Sequence, residues 1–197
     1  MTDTLVRLER DGELALIVAH NPPVNTINAG IRAGLSAAVD RIRADASVRA
    51  VVLLCEGSTF FSGADIGEFS GPPREVEFRV LFNALEALPV PVVAAMHGTV
   101  MGGGLEIALA CHYRIAVAAT KFALPEVTLG IIPGAGGTQR LPRLIGAEKA
   151  LEFILSAKPV AAAQALEMGF LDTIVDGDVR SAAVGYTRGL LAAHQPR

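Results

Sequence analysis

The 197-residue sequence contains no tryptophan and only two cysteines. Cys55 and Cys111 each lie in an apolar stretch and do not form a CxxC motif, so we expect two buried free thiols and no disulfide framework. A chain without disulfides fits a reducing compartment, and the sequence therefore predicts a cytoplasmic protein. The N-terminal MTDTLVRLER has no basic segment followed by an apolar stretch, so no secretory signal is expected.

Long apolar runs and clusters of basic residues are also missing. Glycine, proline or charged residues interrupt every apolar passage before the roughly 18 residues that a membrane-spanning helix needs. The formal net charge is −3, and no run of Lys or Arg is long enough to follow a phosphate backbone. We therefore expect neither a membrane nor a nucleic acid as a partner.

Several well-known catalytic motifs are absent as well. There is no GxSxG motif for a serine nucleophile, and the four histidines show neither HExxH nor paired metal-ligand spacing. The glycine-rich stretches lack the last glycine of the dinucleotide fingerprint and the GK[ST] ending of a phosphate-binding loop. The sequence therefore predicts no metal site and no nucleotide cofactor.

Hydrophobic residues, by contrast, make up 51% of the chain, which indicates a large core. The two-residue turn signal Asp11-Gly12 predicts an opening hairpin, and strand and helix patterns then alternate along the sequence. Strands are predicted at residues 5–8, 14–19, 50–55, 90–96 and 113–118, and helices at 28–43, 65–69, 74–88, 102–110, 148–155 and 161–168. This order predicts an α/β fold with parallel strands, and no linker divides the chain. We interpret residues 1–197 as a single domain with a core of about residues 5–176.

An acidic residue stands out in the glycine-rich and apolar segment GGGLEIALAC. A carboxylate in such surroundings costs free energy unless it has a use, so Glu106 is a candidate functional group. Glycines 102–104 can bring the backbone close to a ligand and expose N–H groups at the start of a helix. Because Gly103 and Glu106 are three residues apart, they share one face of the first helical turn and can contact the same molecule.

A second isolated acid, Glu126, lies in FALPEVTLG, directly after Pro125. For either acid alone, a helix-capping or surface glutamate is an equal alternative. Two carboxyls in apolar surroundings beside glycine-rich loops favour a functional pair. Their pKa values are expected to be pushed apart, so that one acts as a base and the other as an acid.

A third candidate is the loop FFSGAD, which follows the predicted strand at 50–55. Ligands of α/β folds bind at the carboxyl ends of such strands. The N–H group of Ala64, freed by a turn at Gly63, is a candidate second donor beside that of Gly103. Two donors directed at one oxygen form an oxyanion hole, which indicates enolate chemistry on an acyl group.

Three segments together resemble the signatures of the crotonase, or enoyl-CoA hydratase/isomerase, family: FSGADIGEF, PVVAAMHGTVMGGGLEIALAC and FALPEVTLGIIPGAGGTQRLPRLIG. The resemblance covers about residues 5–176. It implies a spiral of ββα units with a shortened or missing C-terminal helical region. It also implies an acyl-CoA ligand, with the adenine near residues 62–66 and an enolate held by the N–H groups of Ala64 and Gly103. The substrate-binding residues that it implies are Val24, Ser62, Ala64, Asp65, Ile66, Gly102, Gly103, Pro125, Pro133 and Gly134.

The resemblance further implies syn addition of water to a trans-2-enoyl-CoA, giving a 3-hydroxyacyl-CoA in fatty-acid β-oxidation. Glu106 would help to activate the water and Glu126 would supply the proton to the α-carbon. Coenzyme A is then part of the substrate, and no cofactor is expected. The alternatives are Δ3-Δ2-enoyl-CoA isomerisation or other crotonase chemistry, and a non-catalytic acyl-CoA-binding module.

The segments NPPVNTIN, GPPREVEF and ALACHYRIA are most similar to the N-terminal hydratase part of multifunctional β-oxidation proteins. The resemblance implies a homo-oligomer, either a trimer or a dimer of trimers, or a place in a longer multifunctional chain. Relatives continue into further C-terminal helices, whereas this sequence stops at Arg197. A truncated chain is therefore one expectation.

Overall fold

Nine strands and seven α-helices form the part of the chain that the computed structural model describes, residues 4–68 and 76–193. The strands are β1 (Val6–Asp11), β2 (Leu14–Ala19), β3 (Ala50–Cys55), β4 (Val92–Met96), β5 (Thr99–Met101), β6 (Tyr113–Val117), β7 (Lys121–Ala123), β8 (Val160–Ala161) and β9 (Thr173–Val175). The helices are α1 (Ala29–Ala44), α2 (Phe78–Glu86), α3 (Gly103–Ala110), α4 (Gly137–Ile145), α5 (Ala147–Ser156), α6 (Ala162–Met168) and α7 (Val179–Ala192). Two 3₁₀ turns, Ile66–Glu68 and Glu126–Leu129, complete the set.

The larger sheet has six strands in the order β1-β2-β3-β4-β6-β9. Strands β1 and β2 form an antiparallel hairpin, and every later pairing in this sheet is parallel. A smaller sheet joins β5, β7 and β8. The predicted opening hairpin and the predicted parallel α/β sheet are both confirmed.

The central strands are buried on both faces, which explains their continuous apolar sequences. Alternate residues of β2 contribute to different cores, because side chains of a strand point to opposite faces. Ala15 and Ile17 belong to the larger core with helices α1, α2 and α3, whereas Leu14 and Leu16 belong to a second core. Helix α7 covers that second face.

Helix α1 begins where the sequence predicted. The side chain of Asn28 accepts a hydrogen bond from the N–H of Ile31, which satisfies one of the free donors of the first turn. The predicted helix at 74–88 starts at Phe78, and its expected beginning and the preceding Gly-Pro-Pro break lie outside the described residues. The short helix expected at 65–69 is the 3₁₀ turn at Ile66–Glu68.

Cys55 and Cys111 are buried and free, as the sequence predicted. Burial raises the pKa of both thiols, that of Cys111 to about 12, so neither forms a reactive thiolate near neutral pH. Within the described residues, no helix combines the length and apolar character that crossing a bilayer requires.

Candidate active site

A cavity of about 520 Å³ opens between α2, α3 and the turn that contains Glu126. Both candidate acids, Glu106 and Glu126, line it. So do most of the residues that the sequence assigned to substrate binding, namely Ser62, Ala64, Asp65, Ile66, Gly102, Gly103, Pro125 and Gly134. The structure therefore brings together predicted residues that lie as many as 72 positions apart in the chain, from Ser62 to Gly134.

Two of the predicted binding residues do not line this cavity. Val24 is on the surface, with 42% of the residue exposed. Pro133 is buried behind the loop, where a Cβ built on Gly137 would lie 2.8 Å from the Pro133 Cβ. Pro133 packs against the turn at residues 134–137, and it is not among the residues that line the cavity.

Glu106 lies in the first turn of α3, a helix whose residues are all buried. One carboxylate oxygen, Oε1, accepts hydrogen bonds from the N–H groups of Ala135 and Gly137, each at 2.8 Å. Two donors on one oxygen fix the carboxyl plane while Glu106 still lines the cavity. The sequence did not reveal this pair of amides, because a backbone donor leaves no residue-type signal.

Glu126 begins the 3₁₀ turn that follows β7, and only 8% of the residue is exposed. Its Oε2 atom is buried and has no hydrogen-bond partner among the described residues. Its Oε1 atom approaches the backbone of α3, since a Cβ built on Gly102 would lie 3.3 Å from it. A buried carboxyl oxygen without a partner is costly for stability and favours a functional role.

Both acids hold their protons more tightly than an ordinary glutamate. Burial raises the pKa of Glu106 to about 7, the amide of Gly137 opposes this rise, and the charge of Glu126 adds to it. Burial also raises the pKa of Glu126. The charge of Glu126 disfavours ionisation of Glu106, and a state with one proton on the two carboxyls contains one acid and one base.

The backbone N–H group of Ala64 points away from the chain segment around Ile27. Residue 64 pairs with Ile27 in an isolated parallel bridge. Ile27 N–H donates to the Gly63 oxygen at 2.8 Å, and Asp65 N–H donates to the Ile27 oxygen at 3.4 Å. Because backbone groups alternate along an extended chain, the N–H of Ala64 points to the opposite side.

The second predicted donor lies beside the first. Gly103 is the first residue of α3, and a Cβ built on it would lie 3.4 Å from the Ala64 nitrogen. Further along the first turn of α3, the N–H groups of Leu105 and Glu106 both donate to the carbonyl oxygen of Gly102. No hydrogen bond to another described residue uses the N–H of Ala64 or Gly103. Two neighbouring backbone donors on the cavity wall are therefore left without a protein partner among the described residues.

The glycines of this segment are explained by close backbone approaches. Gly102 has φ +51°, a conformation that side chains rarely adopt. At Gly104, a Cβ would lie only 1.9 Å from the carbonyl oxygen of Phe61. The start of α3 is thereby pressed against the loop that carries Ala64.

Sequence reasoning missed a buried arginine at the cavity wall. Arg32 of α1 is 2% exposed and forms an ion pair with Glu68 at 2.9 Å. It also donates to the backbone oxygens of Val76 and Ile27, and its guanidinium lies 4.7 Å from the centre of the Phe78 ring. In the sequence, Arg32 has the helical position of an ordinary surface residue. Only the fold shows that it contacts both Glu68 and Val76, which line the cavity.

Two buried carboxyls, and two residues whose backbone N–H groups have no partner among the described residues, line one cavity. The family model of enoyl-CoA hydratase/isomerase matches residues 9–195 of the chain. The chain therefore belongs to the enoyl-CoA hydratase/isomerase, or crotonase, family. The resemblance found in the sequence is confirmed.

Curated relatives agree with this assignment. The chain is 47% identical over 173 residues to a peroxisomal bifunctional enzyme of Danio rerio, covering 88% of this chain and 24% of that protein. It is 42% identical over 173 residues to a probable enoyl-CoA hydratase of Bacillus subtilis, covering 84% of this chain and 67% of that protein. The chain thus spans about a quarter of the length of the bifunctional relative.

Solved structures confirm the crotonase-like α/β fold. Enoyl-CoA hydratase from Bacillus anthracis superposes with a TM-score of 0.89 at 32% identity, covering 95% of this chain and 76% of that one. Pseudomonas aeruginosa DspI superposes with a TM-score of 0.89 at 36% identity, covering 98% of this chain and 76% of that one.

Proposed function

We propose that the protein is an enoyl-CoA hydratase that adds water to a trans-2-enoyl-CoA and forms a 3-hydroxyacyl-CoA. The observation that carries the proposal is the placement of Glu106 and Glu126 on the cavity that Ala64 and Gly103 also line. The family assignment and the relative named as a probable enoyl-CoA hydratase support it. They favour hydration over isomerisation and over a non-catalytic binding module.

In the proposed reaction, the thioester oxygen accepts hydrogen bonds from the N–H groups of Ala64 and Gly103. Glu106 takes a proton from water as the water oxygen bonds to the β-carbon, and the double-bond electrons move toward the thioester oxygen. Glu126 then delivers a proton to the α-carbon. Each donor of such an oxyanion hole contributes about 3 kcal/mol to the transition state.

Coenzyme A is part of the proposed substrate, so the reaction needs no further cofactor. We place the adenine near residues 62–66, at the cavity wall formed by Ser62, Asp65 and Ile66. A relative named as a fatty acid oxidation complex subunit supports a role in fatty-acid β-oxidation. We also propose a cytoplasmic protein that works as a trimer or dimer of trimers, or within a longer multifunctional chain.

The direct test follows the absorbance of crotonyl-CoA after the protein is added. We expect the absorbance of the conjugated thioester to fall and 3-hydroxybutyryl-CoA to appear by mass spectrometry. The double variant Glu106→Gln/Glu126→Gln is the control and should leave the substrate unchanged. Calorimetric binding of crotonyl-CoA without turnover by the wild-type protein would instead support the non-catalytic alternative.

The pH dependence of hydration is a second expected result. The reaction needs one proton on the carboxyl pair, and raised pKa values mean that the pair keeps its last proton until the pH reaches about 7. We therefore expect kcat/KM to be highest at weakly acidic pH and to fall as the pH rises through about 7. Circular dichroism over the same range serves as the folding control. A kcat/KM that rises further above neutral pH would contradict the assignment.

A further inference from the structure

The turn at residues 135–137, whose amides bind Glu106, is itself hydrogen-bonded to the side chain of Arg140. Arg140 of α4 donates from Nη1 to the carbonyl oxygen of Ala135 at 3.2 Å. The N–H group of the same residue, Ala135, donates to Oε1 of Glu106 at 2.8 Å. One peptide segment therefore accepts from the guanidinium and donates to the carboxylate.

Gly136 makes this contact possible. A Cβ built on Gly136 would lie 2.0 Å from Nη1 of Arg140, and the residue has φ +120°, where a side chain is strained. The guanidinium thus lies directly against the turn at 135–137. The turn's other donor to Glu106 is Gly137, the first residue of α4. Arg140 lies in the first helical turn after it.

The same guanidinium ties the turn to α2. Its Nη2 donates to Asn83 Oδ1 and to Glu86 Oε2, both at 2.8 Å, and its Nε donates to Glu86 Oε1 at 3.3 Å. The Arg140 side chain is 10% exposed, whereas that of Glu86 is 50% exposed. A mostly buried, planar guanidinium with partners on two elements fixes geometry better than an exposed ion pair does.

We propose that Arg140 is a positioning residue for Glu106: it holds the turn at 135–137 against α2, so that two amides of that turn keep one Glu106 oxygen in place. Arg140 itself does not line the cavity. The kinetic part of this inference rests on the proposed function, because it assumes that Glu106 acts on the substrate. The structural part does not.

The charge of Arg140 also affects the pKa of Glu106. The charge of Arg140 lowers the pKa of Glu106, against the rise caused by burial and by the charge of Glu126. Glu86 on α2 pairs with Arg140, and Cys111 at the end of α3 also interacts with it, but that thiol stays protonated near neutral pH. Removing the cation should therefore raise the pKa of Glu106.

The experiment compares wild type with Arg140→Gln, Arg140→Lys and the matched control Arg143→Gln. Arg143 lies on the same helix, and its side chain donates to the backbone of Gln139 within that helix. The titration of the Glu106 carboxyl is followed by ¹³C NMR of glutamate-labelled protein, with Glu106→Gln assigning the signal. Steady-state kinetics with crotonyl-CoA gives kcat and KM for each variant.

In Arg140→Gln we expect the Glu106 midpoint to rise, the alkaline fall of kcat/KM to move to higher pH, and kcat to drop by about tenfold to hundredfold. The KM should stay within about twofold, because Arg140 does not contact the ligand space. In Arg140→Lys the charge remains but the planar fork is lost, so the midpoint should stay close to wild type while kcat still falls. Arg143→Gln should behave as wild type.

An unchanged Glu106 midpoint in folded Arg140→Gln, or equal losses in Arg140→Gln and Arg143→Gln, would overturn the proposal. If Arg140→Gln does not fold, a wild-type kcat in Arg140→Lys would overturn it as well. A wild-type protein that shows no hydration contradicts the proposed function instead. The NMR titration then still decides whether Arg140 controls Glu106.

Discussion

Replacing Glu126 with Gln is expected to lower kcat for crotonyl-CoA hydration by about a thousandfold, because the variant cannot deliver a proton to the α-carbon. Glu106→Gln should have a loss of similar size, since the amide cannot accept a proton from water. Both replacements keep the size of the side chain, and in Glu106→Gln the amide oxygen can still accept from Ala135 and Gly137. Stopped-flow absorbance or mass spectrometry of the product measures the loss.

The control for this pair is Glu167→Gln, which removes an exposed carboxyl from α6 and should leave the rate unchanged. Because Glu106 and Glu126 act as a unit, the double variant should lose little more than the worse single variant. Losses that multiply in the double variant would show that the two carboxyls do not act as a unit. A wild-type rate in either single variant would show that its assigned role is wrong.

Replacing Gly104 with Ala is expected to destabilise the fold by about 3 kcal/mol or more. The new Cβ would lie 1.9 Å from the oxygen and 2.6 Å from the carbonyl carbon of Phe61. The new Cβ would clash with backbone atoms of Phe61, and its own position is fixed by the backbone of residue 104, so no side-chain rotation can relieve the clash. Urea denaturation, followed by circular dichroism, measures the change as a lower unfolding midpoint.

A glycine elsewhere offers the matched comparison. Gly185 lies inside α7, and a Cβ built there would have no heavy atom within 4 Å. Gly185→Ala should therefore stabilise the protein by about 0.5 to 1 kcal/mol, the usual gain in a helix interior. Equal unfolding midpoints for the two alanine variants would show that the approach of α3 to Phe61 is not important for stability.

Much of the fold could be predicted because local patterns agree with the tertiary structure. The hairpin was predicted from Asp11-Gly12, although its two-residue turn is Gly12-Glu13 because Asp11 still pairs with Leu14. Strand β3 was predicted from a continuous apolar run whose two faces are both covered. Helix α7 was missed because small residues such as Ala183, Gly185 and Gly189 weaken its apolar periodicity. Strands β5, β7 and β8 have two or three residues each, too few for an alternating pattern.

The candidate site was predictable where a residue type contradicts its neighbours, as Glu106 and Glu126 do. It was not predictable where the contribution comes from a backbone group or from a residue distant in sequence. The amides of Ala135 and Gly137 are of the first kind. Arg32 and Arg140 are of the second kind, because arginine on a helix usually lies on the surface, and only the packed structure shows their partners.

The isolated bridge between Ile27 and Ala64 shows which parts would have to be transferred together if this donor were built into another scaffold. The loop FSGAD contains the donor but not the group that sets its direction, which is the backbone of a residue 37 positions earlier. A designer who copied the loop alone would obtain an N–H group free to turn toward bulk solvent. The smallest transplantable unit therefore consists of two separate chain segments, with the hydrogen bonds between residue 27 and residues 63 and 65 preserved.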